Sequence, residues 1–275
     1  MTYSTPNATG KYLPIVLLAG LLVAGCATPP DMNDREAVIE YNEVNDPLEP
    51  TNRAVFTFNQ SFDKAILRPA AVAYRDYLPR YVQDVVHNIL GNLRSPIVFI
   101  NDVLQGEVDR AMVTFVRFML NSTIGVGGAI DMATDMGVEG HSEDFGQTLA
   151  VWGVGDGPYI MLPMFGPSNP RDTIGIVVDF MIDPINLWAG NTDRDHVPLI
   201  RTVVHAVDRR ADSLDLVDEL EKSSLDFYAA IRSLYRQRRT VEIGNGKGSA
   251  NIPAPGVSSL PLGPVRDDTQ ELSRR

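Results

Sequence analysis

The sequence predicts an all-α protein, and three observations carry that prediction. Apolar residues recur at spacings of three and four along most of the chain, which lines one face of a helix. Cap and stop residues punctuate those stretches, with Asp, Ser or Asn ahead of Pro at the starts and glycine at several ends. No alternating apolar and polar run of useful length signals a strand, and no internal repeat is present.

The first apolar stretch lies outside the expected fold. Lys11 precedes a run from Ile15 to Gly25 that ends in Val23-Ala24-Gly25-Cys26, and Cys26 is the only cysteine among 275 residues. The run is well short of the roughly 20 residues that a spanning helix needs, so it reads as the core of a secretion signal. Small residues before a cysteine form the cleavage pattern of a bacterial lipoprotein, whose thiol accepts a diacylglyceryl group. Residues 1–25 are therefore expected to be a signal peptide, with Cys26 the lipidated residue. Each buried methylene contributes about 0.8 kcal/mol, and several acyl chains anchor firmly where one is marginal. Ala27 follows in place of the aspartate that retains lipoproteins at the inner membrane, which favours the outer membrane.

Formal net charge is −11, and cleavage removes Lys11 but no acid. Nucleic acid and anionic lipid both repel such a chain, so nucleic acid is not an expected partner. Acyl chains and apolar surface must hold it on a bilayer. With a single cysteine no intrachain disulfide forms, and stability rests on packing.

Residues 26–45 are polar and rich in Pro and Asp, as a tether would be, and a helical domain is expected over 46–240. Asp46-Pro47-Leu48-Glu49 reads as an N-cap, a first-turn proline and a third-position acid. Val55, Phe56, Phe58, Phe62 and Ile66 follow, with Asn52, Arg53 and Asn59 interleaved. Pro79 opens a second helix through Val82, Val85, Val86, Ile89 and Leu90, which Gly91 is expected to stop. Ser95-Pro96 then starts a third helix, ended by Gly106. Glu107 to Leu120 forms a fourth, apolar at Met112, Phe115, Val116 and Met119.

Glycine breaks follow at Gly125–Gly128 and Gly153–Gly157, and Pro158, Pro163 and Pro167 oppose a long helix after them. Asn169-Pro170-Arg171-Asp172 caps an apolar helix that Asp179 interrupts and Pro184 bends. One long amphipathic helix is expected from Leu199 to Arg239, with Arg232, Arg236, Arg238 and Arg239 placed to suit its dipole. Residues 241–275 are rich in Gly, Ser and Pro, and are expected to be a disordered tail.

Catalytic chemistry is not evident. His87 and His205 read as surface residues, and His141-Ser142-Glu143-Asp144 as a polar loop lacking the His-Glu-x-x-His pairing of a metal site. Asp144-Phe145-Gly146 matches a kinase triplet without its catalytic loop. There is no Gly-x-Ser-x-Gly elbow, and neither glycine cluster carries the residues of a phosphate cradle. No catalytic residue, metal or cofactor is expected, which leaves a binding or transport component. Several helices are too apolar to be one-sided, and a compact soluble core and helices lying in one leaflet fit that pattern equally.

A series of words in fixed order adds to this reading. Asn45-Asp46-Pro47-Leu48-Glu49-Pro50-Thr51-Asn52-Arg53, Phe56-Thr57-Phe58-Asn59, Arg68-Pro69-Ala70-Ala71, Asn121-Ser122-Thr123-Ile124-Gly125-Val126-Gly127-Gly128, Phe145-Gly146-Gln147-Thr148-Leu149 and Gly157-Pro158-Tyr159 occur in sequence. Over residues 45–190 the chain resembles the MlaA (VacJ) lipoprotein family. The resemblance implies a ring-like, membrane-embedded helical platform in the periplasm-facing inner leaflet of the outer membrane. It implies a passive channel for phospholipid that maintains lipid asymmetry, and as partners a trimeric porin and a periplasmic lipid carrier of the MlaC type. In that frame Asn52, Arg53, Phe56, Phe58, Asn59, Arg117, Gly125, Gly127, Gly128, Gly153, Gly155 and Gly157 are candidate channel or structural residues. Arg53 or Arg117 would fork onto lipid phosphate or onto protein neighbours, with the structural role favoured. The glycines would shape a passage or tight turns. The alternative function is a structural, porin-associated envelope lipoprotein that moves no lipid.

Overall fold

The computed structural model describes residues 45–245, so the expected signal peptide, Cys26, nearly all of the expected tether and the expected tail from residue 246 lie outside the described residues. Helix α1 (Glu49–Phe62) runs through a π turn at Asp63–Leu67 into α2 (Arg68–Tyr77). The expected start is displaced. Leu48 is the N-cap and Pro50 occupies the first turn. Asp46 does not cap, because its buried carboxylate accepts from Asn52 at 2.7 Å, from Tyr228 at 2.5 Å and from Arg232 at 2.7 Å.

Helix α3 (Arg80–Gln105) replaces two predicted helices with one. Gly91 stays helical within it, and Pro96 sits inside it. Proline removes one helix hydrogen bond, but buried Asn92, Ile97, Val98, Asn101 and Asp102 fix this stretch by packing. Gly106 ends α3 at φ +77°, as its position predicts. Helix α4 (Val108–Thr123) then packs back along α3. The Gly125–Gly128 turn is tight. A Cβ on Gly125 would stand 2.2 Å from the Ile130 carbonyl, and one on Gly128 would stand 2.5 Å from Asn92 Cβ.

Short helices α5 (Met132–Asp135) and α6 (Phe145–Val151) follow, the latter capped by Asp144. Past the second glycine break, β1 (Ile160–Leu162) pairs antiparallel with β2 (Gly166–Ser168), Met161 opposite Pro167. Three-residue strands are too short for alternation to reveal. Helices α7 (Pro170–Ile182, capped by Asn169) and α8 (Pro184–Asn191) meet at a 53° bend. Among the described residues no single helix is long and apolar enough to cross a membrane, though this bent pair passes by length and composition.

The predicted long C-terminal helix is three: α9 (His196–Asp212), α10 (Leu214–Ser223) and α11 (Phe227–Ile243). It breaks where Leu214 is drawn into a contact with Ala71 and Ala211, and where Asp226 recaps the chain by accepting from the Ala229 amide. Helix α11 continues through residues 241–243, which the sequence reading gave to the tail.

Two helix crossings depend on small residues. Ala71 on α2 meets Ala211 on α9, and a Cβ on Gly175 of α7 would lie 2.4 Å from the Gly146 amide nitrogen of α6. Burial is inverted relative to a water-soluble core. Among the described residues 17 polar or charged residues are buried against 11 apolar ones, while 33 large apolar residues are exposed. On α4 these form a stripe of Val108, Met112, Phe115, Val116 and Met119, and on α7 they include Ile174, Val177, Phe180 and Met181. An apolar exterior this extensive marks a surface that meets something other than water.

Candidate functional site: a cavity with unpaired cations

Helix α3 carries Leu90, Arg94 and Ile97 at positions i, i+4 and i+7, so a guanidinium falls on an apolar stripe. Arg94 projects into a cavity of about 530 Å³. Its other walls come from Thr114, Arg117 and Asn121 of α4, from Asp131 and His141 of the intervening loops, from His205, Asp208 and Arg209 of α9, and from Arg238 of α11.

A second cavity of about 260 Å³ shares Leu90, Arg94 and His205 with the first and is otherwise walled by apolar Ile97, Ile176 and Phe180 together with Asp179, Asn186, Thr202 and the Asp183–Arg201 pair. A third, of about 380 Å³, also touches Leu90 and is lined by Val86, Ile89, Leu93, Val197, Ile200 and Val204. Polarity therefore falls from the first cavity to the third, with Leu90 common to all.

Most charges around the first cavity are already matched. Arg117 Nη2 donates to the Asp131 carboxylate, 3.0 Å from Oδ1 and 2.8 Å from Oδ2, while Nη1 donates to Thr134 and to the Val138 carbonyl. Burial would raise the Asp131 carboxyl, but hydrogen bonds from Thr134, Asn121 and Arg117 prevail and hold it at about 2. Buried Asp208 accepts from Tyr74 at 3.0 Å and lies 3.0 Å from His87 Nδ1. Asp102, fully buried, meets His141 Nε2 at 2.9 Å and Thr114 at 2.7 Å, and Arg110 neutralises the adjacent Glu143 at 2.5 Å. Asp102, His141 and Glu143 present their ligand atoms within 4.8 Å of one another, but Arg110 already supplies positive charge there.

Arg94 and Arg209 differ. Among the described residues neither has a carboxylate within ion-pair distance, and Arg94 Nε is buried without a hydrogen-bond partner. Asn92, 6% exposed and on the same wall, keeps Oδ1 unpartnered while Nδ2 donates to Ser122. Burial, then Arg238 and Arg94, push the Arg209 guanidinium below the usual arginine value. Burial, Arg209 and Arg94 likewise push the His205 imidazole down, against its charged form. Asp179 is the carboxylate that acts on Arg94, and Glu242 serves both Arg209 and Arg238, so three cations face two acids, an arrangement that attracts an anion.

Of the predicted residues only Arg117 lines the cavity. Asn52, 2% exposed, donates to the Tyr159 carbonyl at 3.0 Å and accepts from the Met161 amide at 2.9 Å. Two helical turns on, Asn59 donates to Leu162 O at 2.9 Å and accepts from Met164 N at 2.8 Å. Together they grip β1 as a neighbouring strand would. Arg53 pairs with Glu49 and Asp226 and lies 4.4 Å over the Tyr228 ring. Phe56 packs edge-on against Phe227 and Tyr228, and Phe58 is exposed. Gly127 and Gly153 lie in turns at positive φ, Gly157 has positive φ in irregular chain beside Pro170, and a Cβ on Gly155 would meet open space at ordinary φ. Arg94, His205, Arg209 and Arg238 were missed as site residues. The signal for Arg94 was a cation in register with apolar Leu90 and Ile97.

A helical shell that is apolar outside, polar within and hollow at a cluster of cations defines an all-α cavity protein with an amphiphilic interior. The family model described as MlaA lipoprotein matches residues 44–242, and the chain belongs to that family. It is 36% identical over 239 residues to the intermembrane phospholipid transport system lipoprotein MlaA of Escherichia coli K12, covering 85% of this chain and 89% of that protein. The Haemophilus influenzae protein of the same name is 34% identical over 242 residues, covering 86% and 92%. A solved structure described as the structural basis for maintenance of bacterial outer membrane lipid asymmetry superposes with a TM-score of 0.65 at 36% identity. That match covers 72% of this chain and 98% of the solved one.

Proposed function

We propose that this protein passes phospholipid from the outer membrane to a periplasmic lipid carrier of the MlaC type, and so maintains lipid asymmetry. The observation that carries the reading is the gradation from a cation-bearing polar cavity to apolar ones beneath an apolar exterior. A phospholipid has that same gradation, and moving its headgroup through hydrocarbon is costly without polar partners. Acylated Cys26 anchors the protein in the periplasm-facing inner leaflet. The helices lie there as a ring-like platform, with the exposed stripes of α4 and α7 against acyl chains or against a trimeric porin. Transport through the cavity is passive.

Deleting the gene tests this. Surface-exposed phospholipid, read by labelling amine headgroups on intact cells, should rise and fall again on complementation. No rise would leave a structural, porin-associated role in place of transport. The anchor has its own test: Cys26→Ser should be neither processed nor retained in the membrane fraction.

A further inference from the structure

We propose that Arg94, backed by Arg209, holds the phosphodiester of a phospholipid at the waist where the polar cavity opens into the apolar ones. The inference rests on the transport reading and adds the residue that binds and orients the cargo.

Position comes first. Arg94, His205 and Leu90 are the residues shared by the 530 Å³ and 260 Å³ cavities, so a molecule occupying both must pass them. Availability comes second. Arg117 is committed to Asp131, Arg110 to Glu143 and Arg201 to Asp183, and recruiting any of them would strip a carboxylate of its partner. Arg94 breaks no pair when it takes an anion, and its Nε, which a forked contact uses, has no partner; Arg110 Nε is bare too, but that guanidinium is held by Glu143. Complementarity comes third. Asn92 Oδ1 offers an unpartnered acceptor on the same wall, matched to an ammonium or hydroxyl beyond the phosphate. On the other side Ile97, Ile176 and Phe180 share the wall with Asp179 and the Asp183–Arg201 pair, and beyond them Val86, Leu93, Val197 and Ile200 form the apolar stretch that suits acyl chains. Repulsion among Arg94, Arg209 and Arg238 is relieved once an anion sits between them.

The test uses the mature lipidated chain in detergent, titrated with dihexanoylphosphatidylglycerol, with inorganic phosphate and with uncharged dihexanoylglycerol, followed by ³¹P NMR and native mass spectrometry. Arg94→Gln should weaken the short-chain phospholipid roughly tenfold or more, the loss expected for a charge-assisted contact. Arg94→Lys should retain part of the affinity, Arg209→Gln should lose less, and dihexanoylglycerol should not discriminate wild type from Arg94→Gln. If Arg94→Gln folds poorly by circular dichroism, Arg94→Lys and Arg209→Gln decide the matter, and unchanged affinity in both overturns it. Equal affinity of folded Arg94→Gln and wild type overturns the phosphate assignment and leaves transport standing. Inorganic phosphate binding as tightly as the lipid overturns the tail assignment. No phospholipid binding by wild type overturns this proposal and the transport reading together.

Discussion

Arg239 closes the chain on itself, and its removal should be among the most costly single changes. Its guanidinium, 12% exposed, donates to both Asp144 oxygens at 2.7 Å and to Asp172 at 2.6 Å. Asp144 also caps α6, and Asp172 also accepts from Tyr235 at 2.5 Å. Arg239→Gln leaves two carboxylates in place, with Asp172 only 7% exposed. Breaking a buried pair from one side costs about 3–5 kcal/mol, a large share of a typical domain's 5–15 kcal/mol. The pH dependence is a second signature. Burial opposes ionisation of Asp144, but the bonds and charge of Arg239 outweigh it and hold the carboxyl at about 2 against an ordinary 3.8. A depressed carboxyl stabilises the fold fully above its unfolded value and loses that contribution as pH falls toward its folded value. The contribution is about 2 kcal/mol at neutral pH and shrinks by about 1 kcal/mol near pH 3. Urea unfolding in detergent, followed by circular dichroism, should show the variant about 3–5 kcal/mol less stable at neutral pH, with the gap narrowing near pH 3. A loss below about 1 kcal/mol, or a gap that ignores pH, would refute the latch.

Other sites give sharper local outcomes. Gly175→Ala places a methyl 2.4 Å from the Gly146 amide nitrogen, so α6 and α7 must separate. Thermal melts should then fall by the equivalent of about 1–3 kcal/mol, whereas Gly155→Ala, which meets open space, should change little. Asn52→Ala orphans the Met161 amide and the Tyr159 carbonyl, for about 2–4 kcal/mol in urea unfolding; amide exchange at Met161 should accelerate. His205 faces Arg209, Arg94 and His87, which lower it, and Asp208, which raises it, with burial the largest effect. Arg94→Gln removes one repelling cation, so the His205 midpoint in an NMR titration should move up; an unmoved midpoint would mean that the two groups do not share the waist.

The sequence carried the helices well wherever local chemistry decided them. Asn169 caps α7, Gly106 stops α3 and Pro184 makes the bend, because each acts through its own backbone. It failed where a distant partner overrode the local signal. Asp46 looks like a cap until Tyr228 and Arg232 arrive from the far end of the chain. Gly91 and Ser95-Pro96 look like a boundary until α4 packs along both sides of it. Arg232 and Arg239 look like dipole complements on a solvated helix end, yet they reach buried carboxylates. The cavity itself was hidden, since its walls come from α3, α4, α9 and α11 and no spacing joins them. Arg94 alone left a trace, as a charge on an apolar face.

The inverted burial fits with how the helices are joined. If the exterior lies in hydrocarbon, as proposed, burying apolar surface between helices gains little, because lipid tails are as apolar as leucine. Close backbone approach and polar pairing must then hold the fold, and both are present. Gly146 meets Gly175, Ala71 meets Ala211, Arg201 pairs with Asp183 at the helix bend, and Arg239 bridges Asp144 and Asp172. Such pairs would be a poor source of stability in a water-soluble core, where an apolar replacement often does as well. In lipid they distinguish the inside of the protein from its surroundings, which apolar side chains cannot do. The same logic isolates Arg94. Three buried guanidinium nitrogens lack a hydrogen-bond partner, but Arg110 and Arg210 are held by Glu143 and Asp63, whereas Arg94 has no ion pair among the described residues and stands free for a charge that arrives from outside.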